Sequence, residues 1–89
     1  MAWAIKFEES AKKELASLDK QTAKRIITFL KERIALSDNP RKLGKTLKGS
    51  KLGDFYRYRV GNYRIICAIE DDNLLVIVIR IAHRKEVYR

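Results

Sequence analysis

Residues 55–66 read Phe-Tyr-Arg-Tyr-Arg-Val-Gly-Asn-Tyr-Arg-Ile-Ile, and this stretch decides the fold. On both sides of Gly61-Asn62, aromatic or aliphatic side chains recur at every second position and alternate with arginines, and a repeat of two residues is the period of a β-strand. Gly and Asn together are typical of the two-residue turn that joins antiparallel strands. The stretch therefore predicts a β-hairpin, with one strand over residues 55–60 and the returning strand over residues 63–69.

The register of this hairpin predicts a core face and a charged face. A two-residue turn places Arg59 opposite Arg64, and residues that lie opposite each other share a face. The core face then carries Tyr56, Tyr58, Val60, Tyr63, Ile65, Cys67 and Ile69. The other face collects Arg57, Arg59 and Arg64. Because like charges placed opposite each other destabilise a sheet, we expect an anion to bind there, the alternative being a solvated basic surface. The planar fork of arginine matches phosphate oxygens in two contacts.

The chain before the hairpin predicts a strand and two helices. Alternating apolar residues over 3–7 indicate a short opening strand. Apolar residues then recur every three or four positions, which predicts two consecutive helices, the second capped by Asp19 and stopped before Pro40. With so few residues between them, we expect an antiparallel helical hairpin. The apolar stripes are Ala11, Leu15 and Leu18, then Ala23, Ile26, Ile27, Leu30 and Ile34.

The remaining segments complete an α+β fold. Residues 41–53 are basic and contain three glycines, so we expect a mostly irregular connection with at most one helical turn. A turn at residues 71–73 precedes residues 74–81, a β-branched run typical of a central strand buried on both faces. The predicted order is β-α-α-β-β-β. It forms a small twisted sheet, mostly antiparallel, with the helical hairpin packed on it. Residues 1–89 are expected to form a single domain, because this length supports one core.

Composition narrows the class of protein. The chain holds 20 Lys and Arg residues against 11 Asp and Glu residues, a net charge of +9. Residues 1–40 contribute +2 and residues 41–89 contribute +7, so the second half is the expected site for a polyanion. The longest apolar run is too short to cross a membrane, and no signal peptide is recognisable. We therefore expect a cytoplasmic protein that does not bind membranes.

Several chemistries are excluded by the residue types present. His83 is the only histidine, so no two-histidine acid–base pair can form, and no spacing of potential ligands predicts a metal site. Cys67 alternates with apolar neighbours and is expected to be buried and inert. The acidic residues 70–72 are expected to be solvated turn residues. We expect no metal and no cofactor, so an enzyme built from these residues would act by positioning and by stabilising negative charge.

Three stretches together resemble a known family. They are Leu47-Lys48-Gly49, residues 56–65 with their Tyr-Arg-Tyr-Arg-Val-Gly-Asn-Tyr-Arg-Ile sequence, and residues 81–88, which read Ile-Ala-His-Arg-Lys-Glu-Val-Tyr. The whole chain resembles the RelE/ParE superfamily of bacterial toxins from type II toxin–antitoxin operons. The closing His-Arg-x-x-Val-Tyr pattern points to the RelE branch.

The resemblance implies a ribosome-dependent mRNA endonuclease, or mRNA interferase, that arrests translation by cleaving A-site codons. In such a reaction the 2′-hydroxyl attacks the adjacent phosphate. By the same resemblance, Arg64 would stabilise the pentacovalent phosphate, Arg84 would stabilise charge or protonate the leaving oxygen, and Tyr88 would stack on or orient the nucleotide. The residues implied to bind RNA are Arg57, Arg59, Lys51, His83 and Lys85.

One departure from the family leaves the general base open. Arg57 and Arg59 stand where well-known RelE toxins carry lysines. Arginine is a poor general base because its pKa lies above 12. Tyr88, His83 or Lys51 would have to serve if a base is required.

The resemblance also implies partners. A cognate antitoxin would cover the basic face, the ribosome and mRNA would be the targets, and operator DNA would be bound only through the toxin–antitoxin complex. Two alternatives remain. One is a ParE-like toxin that inhibits DNA gyrase by protein contact, and the other is a basic RNA-binding module without catalytic activity.

Overall fold

The computed structural model describes residues 2–47 and 55–85 as a five-stranded sheet covered by helices on one face. The strands are β1 (Ala4–Phe7), β2 (Lys45–Leu47), β3 (Phe55–Val60), β4 (Tyr63–Glu70) and β5 (Leu75–His83). The helices are α1 (Glu9–Ala16) and α2 (Lys20–Phe29). A π turn (Leu30–Ile34) extends α2, and a 3-10 turn (Pro40–Leu43) precedes β2.

The sheet order is β1-β5-β4-β3-β2. β1 runs parallel to β5, and the other three pairs are antiparallel, so the predicted α+β class with a mostly antiparallel sheet is confirmed. In residues 41–53 the expected single helical turn is present as the 3-10 turn. The expectation of an otherwise irregular connection is wrong for residues 45–47, which form the edge strand β2 and pair with β3 through Lys45 opposite Arg57. A strand of three residues is too short to show a period of two in the sequence.

The β3–β4 hairpin has the predicted register. Val60 lies opposite Tyr63, and Arg59 lies opposite Arg64. Of the two turn residues only Gly61 has a positive φ, at 59°, which is the pattern of a type II′ turn. A substitution at Gly61 would therefore strain the backbone that sets the register of both strands.

The helices pack most residues of the predicted apolar stripes into the core against the sheet, namely Ala11, Leu15, Leu18, Ile26, Leu30 and Ile34. α1 packs on β5, and α2 lies nearest to β3. The side chain of Asp19 accepts a hydrogen bond from the Thr22 N–H at 3.1 Å, which confirms it as the cap of α2. The buried core comprises Trp3, Ala11, Ile26, Leu30, Ile34, Tyr58, Val60, Ile65, Cys67, Val76, Val78 and Ile81.

β5 departs from its predicted environment. It lies between β1 and β4, but only its helix side is closed, because Leu75, Ile77 and Ile79 remain half-exposed on the other side. The pairing with β4 shifts after Ile66, where Ile79 is the additional residue of a β-bulge. The prediction of a strand buried on both faces is therefore wrong for this part of the sheet. None of the helices described between residues 2 and 85 is long and apolar enough to cross a membrane.

Candidate anion-binding site

The face of the sheet opposite the helices carries three neighbouring arginines, which we call the arginine face: Arg57, Arg59 and Arg64. Arg59 and Arg64 are direct cross-strand partners, and Arg57 lies two residues along β3 from Arg59. Opposed side chains in such a pair have Cβ atoms about 4.5–5.5 Å apart. The structure therefore brings together the three arginines that the hairpin register predicted.

Apolar residues lie beside these cations on the same face of the sheet. Ile66 lies opposite Arg57, and Ala82 lies opposite Arg64, and their exposed fractions are 6% and 1%. Arg57 and Arg64 are half-buried, whereas Arg59 is exposed. A charge beside an apolar surface is less screened by water than a charge on a flexible, solvated side chain. An anion bound here would interact more strongly with the arginines than with scattered surface lysines.

A groove of about 330 Å³ opens beside the arginine face, between the 3-10 turn and β3. We call it the β2 groove. Its lining residues are Lys42, Leu43, Gly44, Lys45, Arg57 and Arg59. Four of these six are cations and none is a carboxylate. The groove is therefore suited to an anionic ligand with some apolar surface.

Gly44 allows the 3-10 turn to approach β3 this closely. A Cβ atom at position 44 would lie 2.8 Å from Cε1 of Tyr58 and 3.0 Å from the carbonyl oxygen of Arg57. Contacts this short force a shift of the backbone or the buried ring. The groove thus depends on a glycine at this position.

Two tyrosines on the helix side of β3 hold the 3-10 turn, which forms one wall of the β2 groove. The Tyr58 hydroxyl donates to the carbonyl oxygen of Pro40 at 2.7 Å, and burial raises the pKa of this phenol well above its usual value. The Tyr56 hydroxyl accepts from Nε of Arg41 at 3.0 Å. Both contacts hold the 3-10 turn against β3.

Arg41 also binds the β4–β5 turn. Its two terminal nitrogens donate to the two carboxylate oxygens of Asp71, each at 2.7 Å. These hydrogen bonds lower the pKa of the Asp71 carboxyl below its ordinary value. Asp71 is an exposed turn residue, as expected, and it also binds a partner thirty residues away in sequence, which the sequence did not predict.

The end of β5 brings one more predicted residue towards the hairpin. The Arg84 N–H donates to the carbonyl oxygen of Asn62 at 2.7 Å, so the chain follows the hairpin as far as Arg84. Arg84 directly follows His83, the last residue of β5, so it lies beside the turn of the hairpin. Arg84 and Lys85 are exposed. Lys51 and Tyr88 lie outside the described residues.

His83 is separated from this group. It lies opposite Tyr63, and the two rings meet edge to face with centroids 5.2 Å apart. Tyr63 belongs to the helix side of the sheet, so His83 does as well. Its Nδ1 accepts a hydrogen bond from the Lys85 N–H at 3.2 Å. The structure therefore does not bring His83 together with Arg57, Arg59 and Arg64.

Two residues near the site were not predicted. Arg80 occupies the outer face opposite Ile66, and its Nε donates to Glu14 at 3.2 Å. The other carboxylate oxygen of Glu14 accepts from the Ile81 N–H at 2.7 Å, beyond the end of β1. Alternation along β5 would have indicated Arg80 only if the bulge at Ile79 had been known. The role of Glu14 depends on tertiary contacts that carry no local signal.

Cys67 is buried as predicted, and burial raises the pKa of its thiol to about 12. A thiol that remains protonated is a poor nucleophile, so Cys67 serves as a packing residue. Within residues 2–47 and 55–85, no group of three or more potential ligands could hold a metal ion.

Comparison with known proteins identifies the family. Residues 5–88 match the model of the ParE toxin of the type II toxin–antitoxin system parDE. Two toxins of Mycobacterium tuberculosis are similar in sequence. Toxin RelG is 29% identical over 89 residues, covering all of this chain and 99% of that protein. Toxin RelE is 37% identical over 78 residues, covering 76% of this chain and 79% of that protein.

A solved structure supports the same assignment of fold. The toxin–antitoxin complex RelBE2 from Mycobacterium tuberculosis contains a chain that matches with a TM-score of 0.82 and 23% identity, covering 97% of this chain and 95% of that one. The shared fold is the α+β sheet with its helices on one face. The protein therefore belongs to the RelE/ParE superfamily and is a toxin of a type II toxin–antitoxin system.

Proposed function

We propose that the protein is an mRNA interferase, a metal-independent endoribonuclease that cleaves mRNA codons in the ribosomal A site. One observation carries this proposal. Arg59 and Arg64 face each other beside a groove lined by four cations and no carboxylate. Opposed guanidiniums cost stability in a protein that has no use for them, and a phosphodiester offsets that cost when it binds.

The reaction balances without a cofactor. The 2′-hydroxyl oxygen of the cleaved nucleotide attacks the adjacent phosphorus, and the bond to the 5′-oxygen of the next nucleotide breaks. A 2′,3′-cyclic phosphate and a 5′-hydroxyl result, with one proton removed from the 2′-oxygen and one delivered to the 5′-oxygen. Charge accumulates on the phosphate oxygens in the transition state, where fixed guanidiniums stabilise it most.

The residues divide these tasks by position. Arg64, which is half-buried and lies opposite Ala82 on β5, binds the pentacovalent phosphate. Arg84 stabilises the leaving oxygen from the position directly after β5. Tyr88 stacks on or orients the nucleotide. Arg57, Arg59, Lys51 and Lys85 bind the RNA backbone.

The position of His83 bears on the proton acceptor. Its ring packs on Tyr63 at the helix side of the sheet, away from Arg64. This placement disfavours His83 as the base and as a ligand of the same phosphate. Tyr88 and Lys51 remain our candidates for removing the 2′-hydroxyl proton.

The proposal includes partners and location. A cognate antitoxin with acidic residues would cover the arginine face and the β2 groove and so inhibit cleavage. The toxin would meet operator DNA only within that complex. A toxin that acts on translating ribosomes works in the cytoplasm.

Cell-free translation tests the proposal. We expect the wild-type protein to stop translation and to leave cleavage sites at codon spacing, mapped by primer extension, only when ribosomes are present. Arg64→Ala removes the charge nearest the phosphate, so cleavage should fall by about 100-fold or more. Lys24→Ala, on the exposed side of α2, makes the same charge change and should cleave normally.

Three results would contradict the proposal. Equal cleavage by Arg64→Ala and the wild type would remove Arg64 from the site. Intact mRNA together with impaired supercoiling by purified gyrase would establish the ParE-like alternative, whose name the matching family model carries. Stable RNA binding without cleavage would establish the non-catalytic module.

A further inference from the structure

A second basic groove lies at the tip of the hairpin, and Arg59 is the one residue that it shares with the site described above. Its volume is about 480 Å³, and it separates α2 and the π turn from the β3–β4 turn. We call it the tip groove. It is lined by Arg25, Thr28, Phe29, Glu32 and Arg33 on the helical side, and by Arg59, Val60 and Gly61 on the sheet side.

The cations of the tip groove are not consumed by ion pairs within the described chain. Over residues 2–47 and 55–85, the ion pairs join Lys12 to Glu9, Arg41 to Asp71 and Arg80 to Glu14. None of them includes Arg25, Arg33 or Arg59, which are all exposed. Glu32 is the single carboxylate of the lining, so the groove carries an excess of two positive charges.

Helical spacing brings the arginines to one edge. Arg25, Phe29 and Arg33 are four residues apart in turn, which places them along one side of the helical segment. Nη1 of Arg25 lies 3.1 Å from the point where a Cβ of Gly61 would stand. The absence of a side chain at position 61 therefore allows the guanidinium to lie over the turn.

Arg59 connects the two grooves. It lines the tip groove and also the β2 groove. The pairing of β2 with β3 begins at Lys45 opposite Arg57, so Arg59 lies on the part of β3 that β2 does not cover. A basic path therefore runs from Lys42 and Lys45, past Arg59, to Arg25 and Arg33.

We propose that the tip groove binds the phosphate backbone of the RNA strand that extends from the cleaved nucleotide, with Arg25 and Arg33 each contacting a phosphate. The inference rests on the proposed function only for the identity of the ligand as RNA. Regularly spaced phosphates suit cations arranged along a path, because each guanidinium can bind one phosphate in two contacts.

The test measures binding without cleavage. The probe is a fluorescent 2′-O-methyl RNA of about ten nucleotides, a length within the range that small domains cover. Such RNA has no free 2′-hydroxyl and cannot be cleaved by the proposed reaction. Arg25→Gln/Arg33→Gln is compared with Lys20→Gln/Lys24→Gln, which removes two charges from exposed positions of α2 outside the groove.

We expect the arginine double variant to bind about tenfold more weakly at 0.1 M salt, and to flatten the slope of log affinity against log salt by about 1.4, or about 0.7 per lost phosphate contact. The lysine variant should stay near the wild type. Glu32→Gln should tighten binding, since it removes the carboxylate that opposes the anion. Thermal melting of each variant checks that it folds.

The inference fails if the arginine and lysine variants have the same salt slope, or if Glu32→Gln weakens binding. It also fails if the arginine variant keeps wild-type RNA binding but loses affinity for the antitoxin, because the groove would then be a protein-binding surface. If the wild-type protein does not cleave mRNA, the proposed function is contradicted, but the salt slope of RNA binding is unaffected. Failure of the proposed function can therefore be distinguished from failure of the tip-groove inference.

Discussion

The two faces of β3 carry side chains of similar size that differ in where their polar groups find partners. On the helix side, Tyr56 and Tyr58 are buried, and their hydroxyls bind Arg41 and the carbonyl oxygen of Pro40. On the other side, Arg57 and Arg59 line a groove with no carboxylate in its lining. The hydroxyls of the tyrosine face have partners within the protein, whereas the arginine face is the surface that we propose to bind an anion. Substitutions one position apart should therefore change different properties.

The difference follows from where each face finds its partners. Burial of an aromatic ring and a satisfied hydroxyl stabilise the folded chain itself. Like charges opposite each other reduce stability until an anion arrives. The tyrosine face should thus control the free energy of unfolding, and the arginine face should control affinity and activity.

Among substitutions that compare the two faces of β3, the largest effect is expected from removing both of its arginines. Arg57→Ala/Arg59→Ala eliminates two cations of the β2 groove, so mRNA cleavage in cell-free translation should fall by about 100-fold, or about 2.7 kcal/mol of transition-state binding. The free energy of unfolding, measured with urea, should change by less than about 0.5 kcal/mol.

A matched control separates location from net charge. Lys12→Ala/Lys13→Ala removes two exposed cations from α1. It should cleave like the wild type. If both double variants lost activity equally, general electrostatic attraction rather than the arginine face would be responsible. A large loss of stability in the arginine variant would show that the two faces are not independent.

The hairpin could be predicted from the sequence because its information is local. The period of two, the Gly61-Asn62 pair and the opposition of Arg59 to Arg64 all lie within a dozen residues. Strand β2, in the segment before the hairpin, could not be predicted. This segment is held by Tyr58, which contacts Pro40 and Gly44, and by Asp71, which binds Arg41, and these partners are 14 to 30 residues apart in sequence. Tertiary contacts of this kind override local propensity.

The same distinction applies to the site. Arg57, Arg59 and Arg64 were found because strand alternation alone places them together. The contributions of Lys42 and Lys45 depend on where β2 docks, and that of Arg80 depends on a bulge. Arg25 and Arg33 belong to the half of the chain with little net charge, and only the packing of α2 near the hairpin turn brings them beside Arg59.

An intermediate effect is expected on the tyrosine face. Tyr58→Phe keeps the buried ring but leaves the Pro40 carbonyl oxygen without the hydroxyl that it accepts from. Unfolding free energy should fall by about 1–2 kcal/mol, which lowers the melting temperature by several degrees in a chain of this size. Tyr63→Phe, at a half-buried position, should change it by less than about 0.5 kcal/mol. Equal losses in the two variants would show that the Pro40 contact contributes nothing specific.

The smallest effect is expected at the exposed ion pair of Arg41 and Asp71, which helps to hold the 3-10 turn that contacts the tyrosines and lines the β2 groove. The pKa of Asp71 is lowered in the folded protein, so the folded state binds this proton more weakly than the unfolded chain does. The stabilisation by the pair is therefore fully present above the unfolded pKa of about 3.9 and disappears as the pH falls through the folded value. Urea unfolding at pH 7 should find Asp71→Asn slightly less stable than the wild type, and the difference should shrink as the pH falls below the unfolded pKa and vanish once the carboxyl is protonated in both states. Asp72→Asn, in the same turn, serves as the control for charge. A difference between Asp71→Asn and the wild type that persists at low pH would mean that the turn is held by packing, and that the 3-10 turn needs only the tyrosine face to stay in place.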